Sequence, residues 1–388
     1  MKKHIGISLF FMGCFLSLSA TNYFVATNGD DSNAGTLDKP FATLQKAQSK
    51  VVPGDTVYIR GGEYRIREEQ MMGGDHLRAY VFEMNKSGTQ AKRICYTGYQ
   101  DERPIFNLAE VKPEGKRVSV FYVSGSYLHF RNFEIIKTQV TIREHTQSEC
   151  IYNQGGNHNI YENLAMHDGM AIGFYLVRGS NNLDPVSENG TGGNVDGFGG
   201  HPASASYTGN VFKGCRAWYN SDDGFDLIKA QAAYTIEDCW AFYNGYKPGG
   251  FVGYGMRSKV KMPNEIPHHV VKNCLAYKNK NKGFYANHHL GGISWFNNTG
   301  YQNPSNFCML NRKSPGEIVD VDGYDHIIRN NLSYKPRAAG KHIVDVNREE
   351  CTIINNSFLP VDMTVGEDDF VSLDPAQLTL PRKADGSL

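Results

Sequence analysis

The chain has 388 residues, of which 40% are hydrophobic, 21% charged and 12% aromatic, a globular composition that excludes disordered, fibrous and multi-span membrane proteins. Forty basic residues balance forty acidic ones, which excludes a generally basic binder of nucleic acid or anionic membrane. Forty-one glycines and 22 tyrosines point instead to a turn-rich β protein.

The first twenty residues, MKKHIGISLFFMGCFLSLSA, place Lys2 and Lys3 before an apolar run from Ile5 to Leu18 and end in small residues, the layout of a cleaved secretory signal. The run is too short to span a bilayer, and it continues past Cys14, which argues against a lipid anchor. Residues 21–388 are therefore expected to be one soluble domain, secreted or periplasmic and monomeric. Next comes PFATLQKAQSK, where Pro40 at a helix start and apolar Phe41, Leu44 and Ala47 predict a short amphipathic helix capping the N-terminal edge. The cysteines beyond the leader are odd in number and form no CxxC pair, so neither a disulfide framework nor a zinc site is indicated.

From there the chain repeats itself. NVFKGCRAWYNSDDGFDL, YTIEDCWAFYNGYKPGGFVG, HVVKNCLAYKNKNKGFYA, GISWFNNTGYQNPSNFCM, HIIRNNLSYKPRAAGKHI and CTIINNSFLPVD each read as strand, polar corner, strand. Cys215, Cys239, Cys274, Asn298, Asn331 and Asn356 correspond, 24, 35, 24, 33 and 25 residues apart, with weaker earlier copies at Asn132 and Asn163. That period, without LxxLxL spacing or helical returns, predicts an all-β single-domain parallel solenoid. Coils stack at about 4.8 Å, so aligned residues become neighbours and the Cys and Asn positions become an inward ladder.

Stacking also gathers charge. SDDGFD puts Asp222, Asp223 and Asp226 in one corner, and NVDGFG puts Asp196 one coil earlier. Asp-Gly pairs are common turn formers, but four carboxylates brought together raise one another's pKa unless a cation neutralises them, and hard oxygen ligands in an irregular loop suit Ca²⁺. The spacing is not that of an EF-hand loop. Calcium on a long groove suits an acidic polysaccharide: by drawing charge from a uronate carboxylate it acidifies the neighbouring C–H for β-elimination by a base.

The segments TNYFVATNGDDSNAGTLDKPFATLQKA, GDTVYIRGG, GGNVDGFG, CRAWYNSDDGFDL, CWAFYNGY, NKGFYANHHLGG and DFVSLD resemble polysaccharide lyase family 9, the pectate and rhamnogalacturonan lyases, over nearly the whole mature chain. The resemblance implies a right-handed parallel β-helix, a pectin-type substrate, and Asp196, Asp222, Asp223 and Asp226 as calcium ligands. Three departures stand out. The family's catalytic Lys falls in a GNGFKLGG-like stretch that here reads GGFVGYG, so that Val252 takes its place; the coil between Asn163 and Cys215 reads as short of a strand; and the chain stops at DGSL. Lys282, one coil beyond that loop at the place Asp223 holds in its own coil, is the surrogate base, while Lys247 stands in the altered corner itself. Arg257, Lys259, His288 and His289 are expected to contact the polymer, with Tyr285 and Trp295 offering ring faces. Two alternatives remain: a non-catalytic pectin-binding relative, given Val252, and an inverting glycoside hydrolase using Asp222 and Asp223, against which the lack of GHG and RIK segments argues.

Overall fold

The repeats fold as coils of a parallel solenoid. The computed structural model describes residues 20–142, 148–178, 183–185, 188–190, 196–220, 222–228, 230–245, 266–314, 317–360, 363–381 and 383. On one face Asn22–Val25 pairs in parallel with Thr56–Ile59, and the ladder continues through Ile94–Gly98, Leu128–Ile136, Ile160–His167, Leu183–Pro185, Asn210–Lys213, Tyr234–Glu237, His269–Lys272, Ile293–Phe296 and Ile327–Arg329 to Thr352–Ile354. Past a corner, Arg216–Trp218, Trp240–Phe242, Leu275–Tyr277, Thr299–Tyr301 and Leu332–Tyr334 form a second parallel series. The third face runs from Arg78–Met84 through Arg117–Val123, Glu149–Gln154, Ile172–Arg178 and Phe198–Gly200 to Phe225–Asp226. It resumes with Lys282–Tyr285, Ser305–Cys308 and Ile343–Val344.

The coil expected to be short is complete. Leu183–Pro185 and Glu188–Gly190 slot between Ile160–His167 and the strands at Asn210 and Arg216, with Ile160↔Leu183↔Val211 and Ala165↔Glu188↔Arg216 in register. Strands reading LDP and ENG lack alternating apolar residues, which is why the pattern hides them.

Inward aromatics stack along the axis: Phe198 lies 4.9 Å from Phe225 and Phe284 lies 4.9 Å from Phe307, both pairs near parallel. At the first corner a residue with positive φ (Asp238, Asn273, Asn297, Asn330, Asn355) precedes each member of the ladder. Short polar side chains tolerate that conformation. The buried ladder follows: the Cys274 N–H donates to Asn298 Oδ1 at 3.0 Å, and Asn298 and Asn331 each donate through backbone and side chain to the next Oδ1 at 2.9–3.0 Å. The ladder begins at Cys215, whose N–H lies 3.3 Å from Cys239 Sγ. Asn132 and Asn163 are shifted from it by one residue: they take the positive-φ place themselves (φ 60 and 51), and Phe133 and Leu164 turn inward.

A second amide ladder lies at the next corner. Asn220, Asn244, Asn279 and Asn303 are fully buried and bond in sequence at 2.9–3.1 Å, ending on Asn306.

The edge helix α1 spans Leu44–Lys50, with Thr43 as N-cap accepting from the Lys46 N–H. It starts later than Pro40 because Phe41 instead bridges to Val25 in parallel. At the far end of the chain, the short helical turn Pro375–Thr379 buries Leu378 against Phe242 and Tyr277. There Arg216, itself buried, donates to the carbonyls of Leu378 and Leu380 at 3.0 and 2.8 Å. Among the described residues no helix is long and apolar enough to cross a membrane.

Candidate metal centre and groove

The acidic corner is built by register. Pairing of Phe198 with Phe225 sets Asp196 and Asp223, each two residues before its inward Phe, on consecutive coils. The Asp223 N–H donates to Asp196 Oδ1 at 3.0 Å, and the Gly197 and Phe198 N–H groups donate to the Asp223 and Gly224 carbonyls at 2.9 and 3.0 Å. The glycines serve close approach rather than turning: a Cβ on Gly197 would sit 2.7 Å from the Gly224 carbonyl oxygen, and one on Gly224 would sit 2.9 Å from Asn244 Nδ2. The Asp-Gly pairs are thus packing motifs of the stack, and the ordinary-turn reading does not account for them.

Asp226, paired with Gly199, completes the cluster from the other side of its strand. Carboxylate oxygens of Asp196, Asp223 and Asp226 all lie within 4.8 Å of one another, and the three residues are only 6–8% exposed. Asp226 is oriented by the Ile228 N–H at 2.7 Å and by His201 Nε2 at 3.2 Å, while the other nitrogen of His201 lies 3.3 Å from the Tyr175 hydroxyl. Asp222 is half-buried at the adjoining position and stays outside this group. Buried carboxylates accept hydrogen bonds and cannot donate them to one another, so three hard oxygen donors this close fit a divalent cation such as Ca²⁺.

Lys282 stands on the same line as Asp223, two residues before inward Phe284, with Tyr285 corresponding to Asp226. Two coils separate them, about 10 Å at strand spacing, and the Lys282 ammonium lies 4.1 Å from the centre of the Tyr285 ring. His288, half-buried with φ 66, places Nε2 3.1 Å from Asp320 Oδ1. Burial lowers its pKa.

Two expected polymer contacts are instead core. His289 is fully buried, stacked 4.5 Å from His269, with Nε2 2.6 Å from the Pro267 carbonyl, and burial pushes its pKa down to about 4. Trp295 is likewise fully buried. The sequence treats His288 and His289 as equivalents, but neighbouring residues face opposite ways and only one can meet the groove. Lys247, Val252, Arg257 and Lys259 lie outside the described residues.

A tyrosine line escaped the sequence reading. Tyr80, Tyr122, Tyr152 and Tyr175 run along the third face towards His201, with ring centres 3.9, 5.8 and 5.7 Å apart. Its signal was the repeated apolar-Tyr dipeptide at 121–122, 151–152 and 174–175. Beside it Arg78 pairs with fully buried Glu149 at 3.3 Å and covers the Tyr152 ring at 4.6 Å.

The fold and site together are a stacked parallel β-helix with a buried acidic cluster at the end of a line of tyrosines, and its relatives give its class. The profile described as Pel9A-like, right-handed β-helix region matches residues 23–331, and the chain belongs to that family, polysaccharide lyase family 9. Pectate lyase L of Dickeya chrysanthemi is 30% identical over 381 residues, covering 94% of this chain and 81% of its own. Among solved structures, a rhamnogalacturonan lyase is 48% identical with a TM-score of 0.89, covering 95% of both chains. Pectate lyase Pel9A is 28% identical with a TM-score of 0.73, covering 96% of this chain and 88% of its own. The protein is accordingly a polysaccharide lyase with the right-handed parallel β-helix fold.

Proposed function

We propose that the protein is a secreted, calcium-dependent lyase that cleaves a pectic uronate polymer, rhamnogalacturonan or polygalacturonate, by β-elimination. The convergence of Asp196, Asp223 and Asp226 within 4.8 Å carries this reading, and relatives named for pectate and rhamnogalacturonan support the substrate class. Those three carboxylates, with Asp222 alongside, would hold the ion. Bound there, Ca²⁺ supplies a Lewis acid that draws charge from a substrate carboxylate. The protein's own groups do the rest. His201 and the Ile228 N–H fix the Asp226 carboxylate, and the stacked tyrosine line ending at Tyr175 leads up to it along the same face. Lys282 lies two coils from Asp223, a separation that suits a contact to a neighbouring sugar better than proton abstraction at the ion, since a base must come within about 3 Å of the proton it takes.

Val252 at the family's Lys position favours a second reading, a pectin-binding relative that keeps the ion and the groove without turnover. A calcium titration combined with the ultraviolet absorbance of unsaturated uronate, on rhamnogalacturonan and on polygalacturonate, tests both. Calcium-dependent absorbance supports the lyase; retained binding with no absorbance supports the binder; reducing ends without absorbance overturn both in favour of hydrolysis.

A further inference from the structure

The described strands pair in parallel except at two places, the two-residue strand Gly73–Gly74 against Arg78–Met84 and a longer hairpin further along the chain. Asn311–Ser314 pairs antiparallel with Glu317–Val321, a hairpin rooted beside the third face just after Ser305–Cys308. The His288 N–H donates to the Leu310 carbonyl at 2.8 Å and the Tyr324 hydroxyl donates to the Arg312 carbonyl at 3.0 Å, which fixes the root of the hairpin against the coil that carries Lys282 and Tyr285.

The charges of this hairpin do not pair as placed. Arg312 and Asp320 are directly opposed across the two strands, where opposite charges ordinarily meet. Asp320 turns instead to His288, at 3.1 Å. The Nε and Nη1 atoms of Arg312 are buried and find no hydrogen-bond acceptor among the described residues. Leaving guanidinium donors buried and unmet is costly, and a guanidinium fork matches a carboxylate. Lys282 supplies a second cation nearby: both it and Arg312 act electrostatically on His288.

We propose that Arg312 and Lys282 form a second carboxylate subsite, which holds the uronate two sugars along from the one at Asp196, Asp223 and Asp226. The inference rests on the proposed polymer substrate. Lys282 is two coils from Asp223, and sugars of an extended chain lying along the axis advance by about one strand spacing each. The carboxylate would complete the bonds Arg312 lacks, while the Tyr285 ring, 6.4 Å from His288, lines the pocket floor.

Isothermal titration calorimetry in calcium tests this, with hexasaccharides of rhamnogalacturonan and of polygalacturonate and the same oligosaccharides after carboxyl reduction. Arg312→Gln should weaken binding of the acidic oligosaccharides about tenfold or more and leave that of the reduced ones unchanged, and on polymer it should raise KM with kcat held. Unchanged affinity for the acidic oligosaccharides in a variant that melts as the parent does would overturn the subsite. Lys282→Gln carries the same expectation should the first variant fold poorly. If the parent makes no unsaturated product but Arg312→Gln still loses affinity, the lyase reading falls and the subsite stands. If the parent is active and neither Kd nor KM moves in Arg312→Gln, the subsite falls and the lyase reading stands.

Discussion

The amide ladder at Asn298, Asn331 and Asn356 and the acidic corner at Asp196 and Asp223 are both columns made by one rule, that equivalent residues of successive coils stack. They differ by a single group. An amide carries donor and acceptor together, so each Asn satisfies the next and the column closes on itself. A carboxylate only accepts; one Asp can take the backbone N–H of its neighbour, as Asp196 does from Asp223, but its remaining lone pairs face like charge. The amide column is a finished structure, whereas the acidic one needs something from outside.

Acid should disturb the neutral interior most. His289 and His326 are buried and neutral, with pKa values pushed down to about 4 by burial. In the unfolded chain a histidine titrates near 6.5, so between about pH 6.5 and 4 the unfolded state binds more protons and stability falls as pH falls, with nothing further lost below about 4. At 1.36 kcal/mol per pKa unit each histidine contributes on the order of 3 kcal/mol by the bottom of that window. Urea melts at pH 7 and pH 4.5 measure it; equal midpoints would show these imidazoles to be solvated.

Asp223→Ala strikes the charged column. Lyase activity should fall about a hundredfold or more, a loss of roughly 3 kcal/mol, and the stabilisation by calcium expected of the parent, about 2.7 kcal/mol at a hundredfold excess over Kd, should vanish. A variant whose melting still responds to calcium and to chelator would disprove the site. The mirror experiment, Asn331→Ala, removes the middle of the amide column and strands the Asn298 N–H, while Asn356 Oδ1 keeps the backbone N–H of residue 331; it should cost about 2 kcal/mol in denaturant melts and leave the calcium response intact. Val252→Lys adds a base where the family has one; a tenfold gain in absorbance rate would mark the parent as a groove short of one group. A folded, calcium-binding variant with no gain would show that the loss is not confined to that side chain.

The coil period, the Cys-to-Asn ladder and the acidic corner were legible because each follows from alignment of a repeat, and stacking turns alignment into contact. What alignment does not carry is the side a residue faces. His289 and Trp295 align with groove positions no worse than His288 does, yet both are buried. Asn132 and Asn163 miss the ladder by one residue, because an Asn at the bend and an Asn one place later look alike in sequence. The second amide ladder, from Asn220 to Asn303, was hidden because its bends are held by Tyr219, Tyr243, Lys278 and Gln302, residues that do not announce a turn. The Arg312 hairpin lies outside the repeat and could not have been found through it.

The short helix Pro375–Thr379 sets when one flank of the solenoid can be closed. Arg216 donates to carbonyls 162 and 164 residues downstream, and the apolar patch around Phe242 and Tyr277 is covered by Leu378. A polypeptide delivered from its N-terminus can wind coil upon coil as it emerges, yet this flank stays bare until residues 378–380 arrive, long after Arg216. Cutting the chain before Pro375 would therefore reopen a seam in the middle of the solenoid rather than fray its end.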